Sequence, residues 1–200
     1  MTRTSRSAAV VALSAAALLL FVAPAASAAS LTIKDGGDDV WVAGTDGQPD
    51  VRTQQVAEAD IRRAVVRHGA RVVVVRAKFA DLTRKGAGLD LVAEIRTDEG
   101  VRRGVELLTN NYTNDPIARE TIRMWKGADQ PVRCAVRHKV DYSLNTMSVT
   151  VPRTCLGGPT WVQVRIHNAW LGDGLTHAYV DNPHNDKSRF TGWSARVRRG

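Results

Sequence analysis

Apolar residues in this chain recur at every second position, segment after segment, and almost nowhere at every third or fourth. Leu89, Leu91, Ala93 and Ile95 alternate with Asp90, Glu94 and Arg96, interrupted only by Val92. Val132, Cys134, Val136, His138, Val140 and Tyr142 alternate with Arg133, Ala135, Arg137, Lys139 and Asp141. Met147, Val149 and Val151 repeat the pattern, as do Val162, Val164 and Ile166. A spacing of two puts the apolar side chains on one face of an extended strand and the polar ones on the other. The four consecutive valines within Arg71–Phe79 predict a strand buried on both faces. Weaker alternation at Val101–Leu107, Arg119–Lys126, Asp60–His68 and Asp39–Val42 brings the predicted total to eight or nine strands.

Turn-forming residues separate these segments: Gly69, Gly86 to Gly88, Gly100, Asn110 to Pro116, Gly127 and Gly157-Gly158-Pro159. Connections this short favour antiparallel pairing, because a parallel crossover needs a helix. The best helical stretch, Gln54 to Arg63, has too few apolar positions. The expected fold is all-β, a single antiparallel β-sandwich of jelly-roll or immunoglobulin-like kind, with a β-barrel as the alternative. After Asn168 the alternation lapses, which predicts a long loop and a last strand near Phe190–Trp193.

Residues 1–28 stand apart from this pattern. Arg3 and Arg6 precede an apolar run from Ala8 to Val22, and Ala26-Ser27-Ala28 is a small-x-small cleavage site. A run of about 15 residues is short of the ~20 that span a bilayer. This reads as a signal peptide rather than a membrane anchor, leaving residues 29–200 as one exported domain, extracellular or associated with the cell wall. The chain carries 28 Lys+Arg against 20 Asp+Glu. Loss of Arg3 and Arg6 takes the formal charge from +8 to +6. Outside the cell, the partners for such a charge are acidic glycans, wall polymers, lipid headgroups and stray nucleic acid. Specific nucleic-acid binding is not expected, because the arginines are spread over many strands instead of forming one stripe. A monomer is expected.

Two cysteines in an exported domain predict one structural disulfide, Cys134 to Cys155. If Ser143–Thr146 closes a hairpin, opposed residue numbers sum to 289 and the two cysteines face each other. Closing that loop contributes roughly 3 kcal/mol.

Three groups of side chains are candidate sites. Asp35, Asp38 and Asp39 surround the flexible Gly36-Gly37, an arrangement that wraps hard oxygen ligands round a cation, with Asp60 or a backbone carbonyl completing the set. Calcium suits such ligands best; a solvated turn is the plainer explanation. Trp125 and Trp161 fall on the polar sides of their strands, where an indole stacks on a sugar ring or covers the sheet under a loop. Arg133, Arg137 and Arg165 are placed on outward faces beside them. Finally, His177, Asp181, His184 and Asp186 lie close together in an irregular stretch and suit a transition metal or a general base. Loops gather such residues for turn reasons as well.

Several segments carry a resemblance. Asp35-Gly36-Gly37-Asp38-Asp39-Val40-Trp41, Ala59-Asp60-Ile61, His68-Gly69 and Phe79-Ala80-Asp81-Leu82 resemble the opening of small secreted actinobacterial proteins of unknown function. Val151-Pro152-Arg153-Thr154-Cys155-Leu156, Trp161-Val162-Gln163 and Asp181-Asn182-Pro183-His184-Asn185 resemble their C-terminal half. The acidic turn, Asp-Ile and paired strands are more distantly similar to sandwich domains of the DOMON and family 9 carbohydrate-binding type. That similarity implies a sandwich and brings no binding residue with it.

No Gly-x-Ser-x-Gly, His-Glu-x-x-His or phosphate-binding glycine loop occurs. The leading expectation is therefore a noncatalytic module that binds an extracellular glycan or an anionic wall polymer through Trp125, Trp161, Arg133, Arg137 and Arg165. The alternative is a small hydrolase or metal-dependent enzyme built on the late histidine-rich stretch.

Overall fold

The computed structural model describes residues 28–43, 50–53, 56–84, 88–109, 120–172, 177–185 and 192–200. The signal peptide predicted at residues 1–28 lies outside them except for its last residue, and Asp186 lies outside them entirely.

Strands dominate. They are β1 (Ala29–Lys34), β2 (Val40–Val42), β3 (Val51–Thr53), β4 (Ile61–His68), β5 (Val72–Phe79), β6 (Leu89–Thr97), β7 (Arg102–Thr109), β8 (Thr121–Lys126), β9 (Gln130–Pro131), β10 (Arg137–Asp141), β11 (Thr146–Pro152), β12 (Trp161–Gly172), β13 (His177–Asp181) and β14 (Val197–Arg198). A 3-10 turn, Arg153–Leu156, follows β11. Every pairing is antiparallel. One sheet has the order β1-β4-β5-β11-β10, the other β3-β2-β13-β12-β6-β7-β8-β9, with β14 added to β12. The sheets do not close into a barrel.

Alternation places the core between them. Ala64, Val66, Val73, Val75, Met147 and Val149 face inward from the first sheet, and Leu91, Ala93, Ile95, Val105, Leu107, Val162, Val164 and Ile166 face inward from the second. Each Val, Leu, Ile or Met side chain among them contributes about 1.5–3 kcal/mol when fully buried. A smaller cluster of Val40, Val56 and Ala59 sits under Trp170 and Tyr179, whose rings lie 5.1 Å apart.

Four local expectations need correcting. In the valine strand Val73 and Val75 are fully buried, but Val72 and Val74 are half-buried, so β5 is buried on one face and only partly covered on the other. The chain beyond Asn168 is not a long loop, since β12 continues to Gly172 and β13 follows. Trp193 belongs to no strand; the last one is β14. The β10–β11 hairpin pairs Asp141 with Thr146 and Arg137 with Thr150, so opposed numbers sum to 287 rather than 289. The loop is Tyr142–Asn145 because Asp141 Oδ1 accepts from Ser143 Oγ and Leu144 N, and Asn145 takes a left-handed φ of 53° that ends the turn. The disulfide forms nonetheless, with Cα atoms 6.1 Å apart. Residues 132–136 leave the ladder, and Cys134 meets Cys155 in the 3-10 turn.

Candidate functional site

Arg165, Glu94, Gly104 and Trp125 form one row across β12, β6, β7 and β8, each opposed to the next in register. Opposed residues of antiparallel strands share a face. Here it is the face turned away from the core, since Ile95, Val105 and Met124 fill the other. Gly104 lets the indole of Trp125 lie close over β7, because a Cβ at that position would collide with the ring. The guanidinium of Arg123 sits 5.1 Å from the same ring.

Trp193 completes the arrangement. The segment after it runs along β12, where Ser194 N donates to Val164 O at 2.9 Å and Ser194 Oγ accepts from Val164 N at 2.9 Å. Arg96 and Arg165 stack on the Trp193 ring at 4.5 and 5.2 Å. The result is a groove of about 300 Å³ lined by Trp125, Trp193, Arg102, Arg103, Arg165 and Glu94, with the Gly104 backbone as part of its floor. Arg165 Nη2 bonds both Glu94 oxygens at 2.6 Å. Three guanidinium groups against one carboxylate leave the lining cationic.

Of the five residues predicted to bind ligand, the groove gathers Trp125 and Arg165. Trp161 lies near the end of β12 under the guanidinium of Arg196, 4.5 Å from its ring. Arg133 is exposed in the irregular stretch before β10, and Arg137 is exposed on β10 in the other sheet. Glu94, Arg102, Arg103 and Trp193 were not anticipated. A glycine inside the alternating Val101–Leu107 segment is the sequence signal that marks a close approach; nothing comparable marks Trp193.

The acidic turn also changes membership. Asp35, Asp39 and Asp181 each offer a carboxylate oxygen, and these oxygens lie within 4.8 Å of one another. Asp39, Asp60 and Asp181 are buried. Asp38 instead points outward and pairs with Arg62 at 3.0 Å, and Arg62 also reaches Asp60 at 3.0 Å. A bulge makes this contact: β4 advances two residues, Ile61 to Arg63, where β5 advances one, and Arg62 is the extra residue. Asp181 Oδ2 accepts from Ile61 N and its Oδ1 from Asn182 N, each at 2.6 Å. Burial and then the neighbouring Asp181 and Asp39 push the Asp35 carboxyl up to about 8. Burial, with Asp39 and Asp60 repelling, pushes Asp181 up to about 7. Burial raises Asp60 as well, against the Asp38 N–H and Arg62.

Of the late polar stretch, Asp181 and His184 have described side chains, and the two are engaged in different places. Asp181 belongs to the acidic group. His184 Nε2 accepts from Ile166 N at 3.1 Å, and burial and Arg165 hold this ring down at about 4. The side chain of His177 lies outside the described residues, as does Asp186. No protein-family model, curated protein or solved structure matches the chain.

Proposed function

We propose that this chain is a secreted, noncatalytic binding module for an extracellular glycan or anionic cell-wall polymer, held in the groove lined by Trp125 and Trp193. The observation that carries the reading is the pairing of two indoles with three guanidinium groups in one open groove. A sugar ring offers an apolar C–H face that stacks on indole. A carboxylate or phosphate on the same polymer accepts from the planar guanidinium fork. Neither chemistry needs a reacting group, and both tolerate an extended chain crossing the strands.

The test is retention of the protein on an acidic polysaccharide, with polygalacturonate as the probe and dextran as the neutral control. Trp125 faces away from the core, so Trp125→Ala leaves the sandwich intact. It is expected to weaken binding about tenfold, on the order of 1.4 kcal/mol. Raising salt to 1 M shortens the Debye length from ~8 to ~3 Å and is expected to weaken binding further. Binding unchanged in Trp125→Ala removes the groove from the mechanism, and no retention on acidic polymer at either salt refutes the function.

A further inference from the structure

At one end of the sandwich two of the chain's crossings between the sheets carry acidic residues. Residues 35–39 lead from β1 in the five-stranded sheet to β2 in the nine-stranded one, and residues 56–60 lead from β3 back to β4. Asp35 and Asp39 lie on the first crossover, Asp60 on the second, and Asp181 ends β13. The inward face of β12, apolar through Val162, Val164 and Ile166, continues as Asn168, which is fully buried and stands opposite Asp181 in the ladder.

The carboxylates alone do not make a site; the unused oxygens around them do. Asp39 Oδ1 and Asp60 Oδ1 are buried without a donor, in residues 4% and 2% exposed. Asp35 Oδ2 is buried as well, and its carboxyl has the Asp39 carboxyl as its side-chain hydrogen-bond partner. Independently of the acidic residues, Asn168 spends its Nδ2 on Ala59 O at 2.7 Å, next to Asp60, and leaves its Oδ1 buried with no donor. A buried acceptor without a partner costs about 1–3 kcal/mol, and more when charged. Arg62 compensates Asp60 and the exposed Asp38, and no ion pair reaches Asp35, Asp39 or Asp181 among the described residues, which compounds that cost. A cation held between Asp35, Asp39 and Asp181, whose oxygens converge within 4.8 Å, offsets the charge that the neighbouring oxygens of Asp60 and Asn168 also face.

We propose that Asp35, Asp39 and Asp181, with Asp60 and Asn168, form a calcium site that fastens the two crossovers to β13. The donors are all oxygen, which selects a hard cation over zinc or copper. Oxygens about 2.4 Å from one calcium ion are at most ~4.8 Å apart, the spacing of the three carboxylates. Magnesium demands a tighter octahedron and keeps its waters, so it binds more weakly here. The site is separate from the groove, and neither depends on the other.

Calorimetric titration of the chelator-treated protein with CaCl2, read beside thermal unfolding, tests this. One calcium per chain and a melting point that rises by several degrees and returns with chelator are expected, because the ion binds only the folded arrangement. Magnesium is expected to give a weaker response. Asp39→Asn keeps the shape and removes an unpartnered charge. It is expected to melt no lower than the parent in chelator and to lose the calcium response. Asp35→Asn, whose amide oxygen still accepts from Gly36 N, is measured in parallel and is expected to behave the same way. A parent protein that takes up no calcium, a response to zinc alone, or a full calcium response in both variants overturns the proposal.

Discussion

Single acceptors decide much of the behaviour of this molecule. His184 is an example: its Nε2 accepts a backbone N–H from the central strand β12, so that nitrogen is unprotonated in the folded state. Burial and Arg165 hold the ring at about 4 against the usual 6.5, so between those values the unfolded chain takes up a proton that the folded chain refuses. The stability contributed by neutral His184 is complete above pH 6.5 and is lost as pH falls toward 4. His68 and His167 are lowered too and act in the same direction, whereas the raised Asp35, Asp60, Asp90 and Asp181 act in the opposite one. Comparison with a variant therefore isolates the residue. His184→Gln keeps an acceptor and does not titrate, so denaturant unfolding at pH 7 and pH 5 is expected to show a smaller loss in the variant; parallel losses would show that His184 is not the titrating group. Residue chemistry was legible in part. The acidic turn is written into Asp35, Asp38 and Asp39, but which of them turns inward depends on Gly37 and Asp38 taking left-handed φ of 76° and 58° and on Arg62 leaving β4 at a bulge. Asp181 lies 120 residues beyond Ile61, whose N–H it accepts, and nothing local announces that it joins the turn.

At the scale of elements, the two-residue period identifies a strand only when its apolar side chains face the core. It succeeds for β4 to β8, β11 and β12, and for β10 only from Arg137 onward, since Val132 to Val136 alternate as cleanly and leave the ladder. It fails for β13, where Tyr179 and Asp181 stand opposite the inward Trp170 and Asn168 and Val180 on the other face is buried as well, so burial follows no two-residue pattern and a polar residue falls on the core side. It fails for β3, β9 and β14 because two or three residues carry no period. β1 does alternate, with Ala29, Leu31 and Ile33 half-buried, but its apolar half merges with the small-residue stretch before it. The disulfide was legible for a different reason: two cysteines have only one partner each. It joins the irregular stretch before β10 to the 3-10 turn, where Arg153 holds the chain by donating to Ala70 O, Gly158 O and Pro159 O at 2.8, 2.7 and 2.6 Å. Because the two cysteines are 21 residues apart, the double variant Cys134→Ser/Cys155→Ser is expected to lose about 3 kcal/mol of unfolding free energy. Urea unfolding measures this, and a midpoint unchanged from the parent would mean that the crosslink constrains nothing the fold does not already constrain.

Across the whole molecule, stability is unevenly distributed. The sheet-to-sheet core draws inward residues from β4, β5, β6, β7, β11 and β12, while β2 rests on a second cluster of only Val40, Val56 and Ala59 with the Trp170 and Tyr179 rings. Sheet order was not legible, because β12 pairs with β6 and β11 with β5 across long stretches of chain, and local patterning carries no record of such partners. That order creates the imbalance: it places β3, β2 and β13 beyond β12, at the end where the crossovers meet and where the smaller cluster replaces the main core. Regions with few buried apolar contacts open at lower free energy than the core. Backbone amides of Trp41, Val42 and Val180 are therefore expected to exchange with deuterium faster than those of Val164, Ile166 and Ile95. Since the proposed calcium ligands Asp35, Asp39, Asp60 and Asp181 lie at that weaker end, calcium raises the free energy of opening there first, and core amides that exchange only by global unfolding slow by no more than the gain in total stability. Hydrogen exchange with and without calcium reads both effects: fast exchange at β2 and β13 that calcium selectively slows is the expected outcome. Equal rates at the two ends without calcium would show one cooperative core, and slowing confined to Val164 and Ile166 would place the ion's action elsewhere.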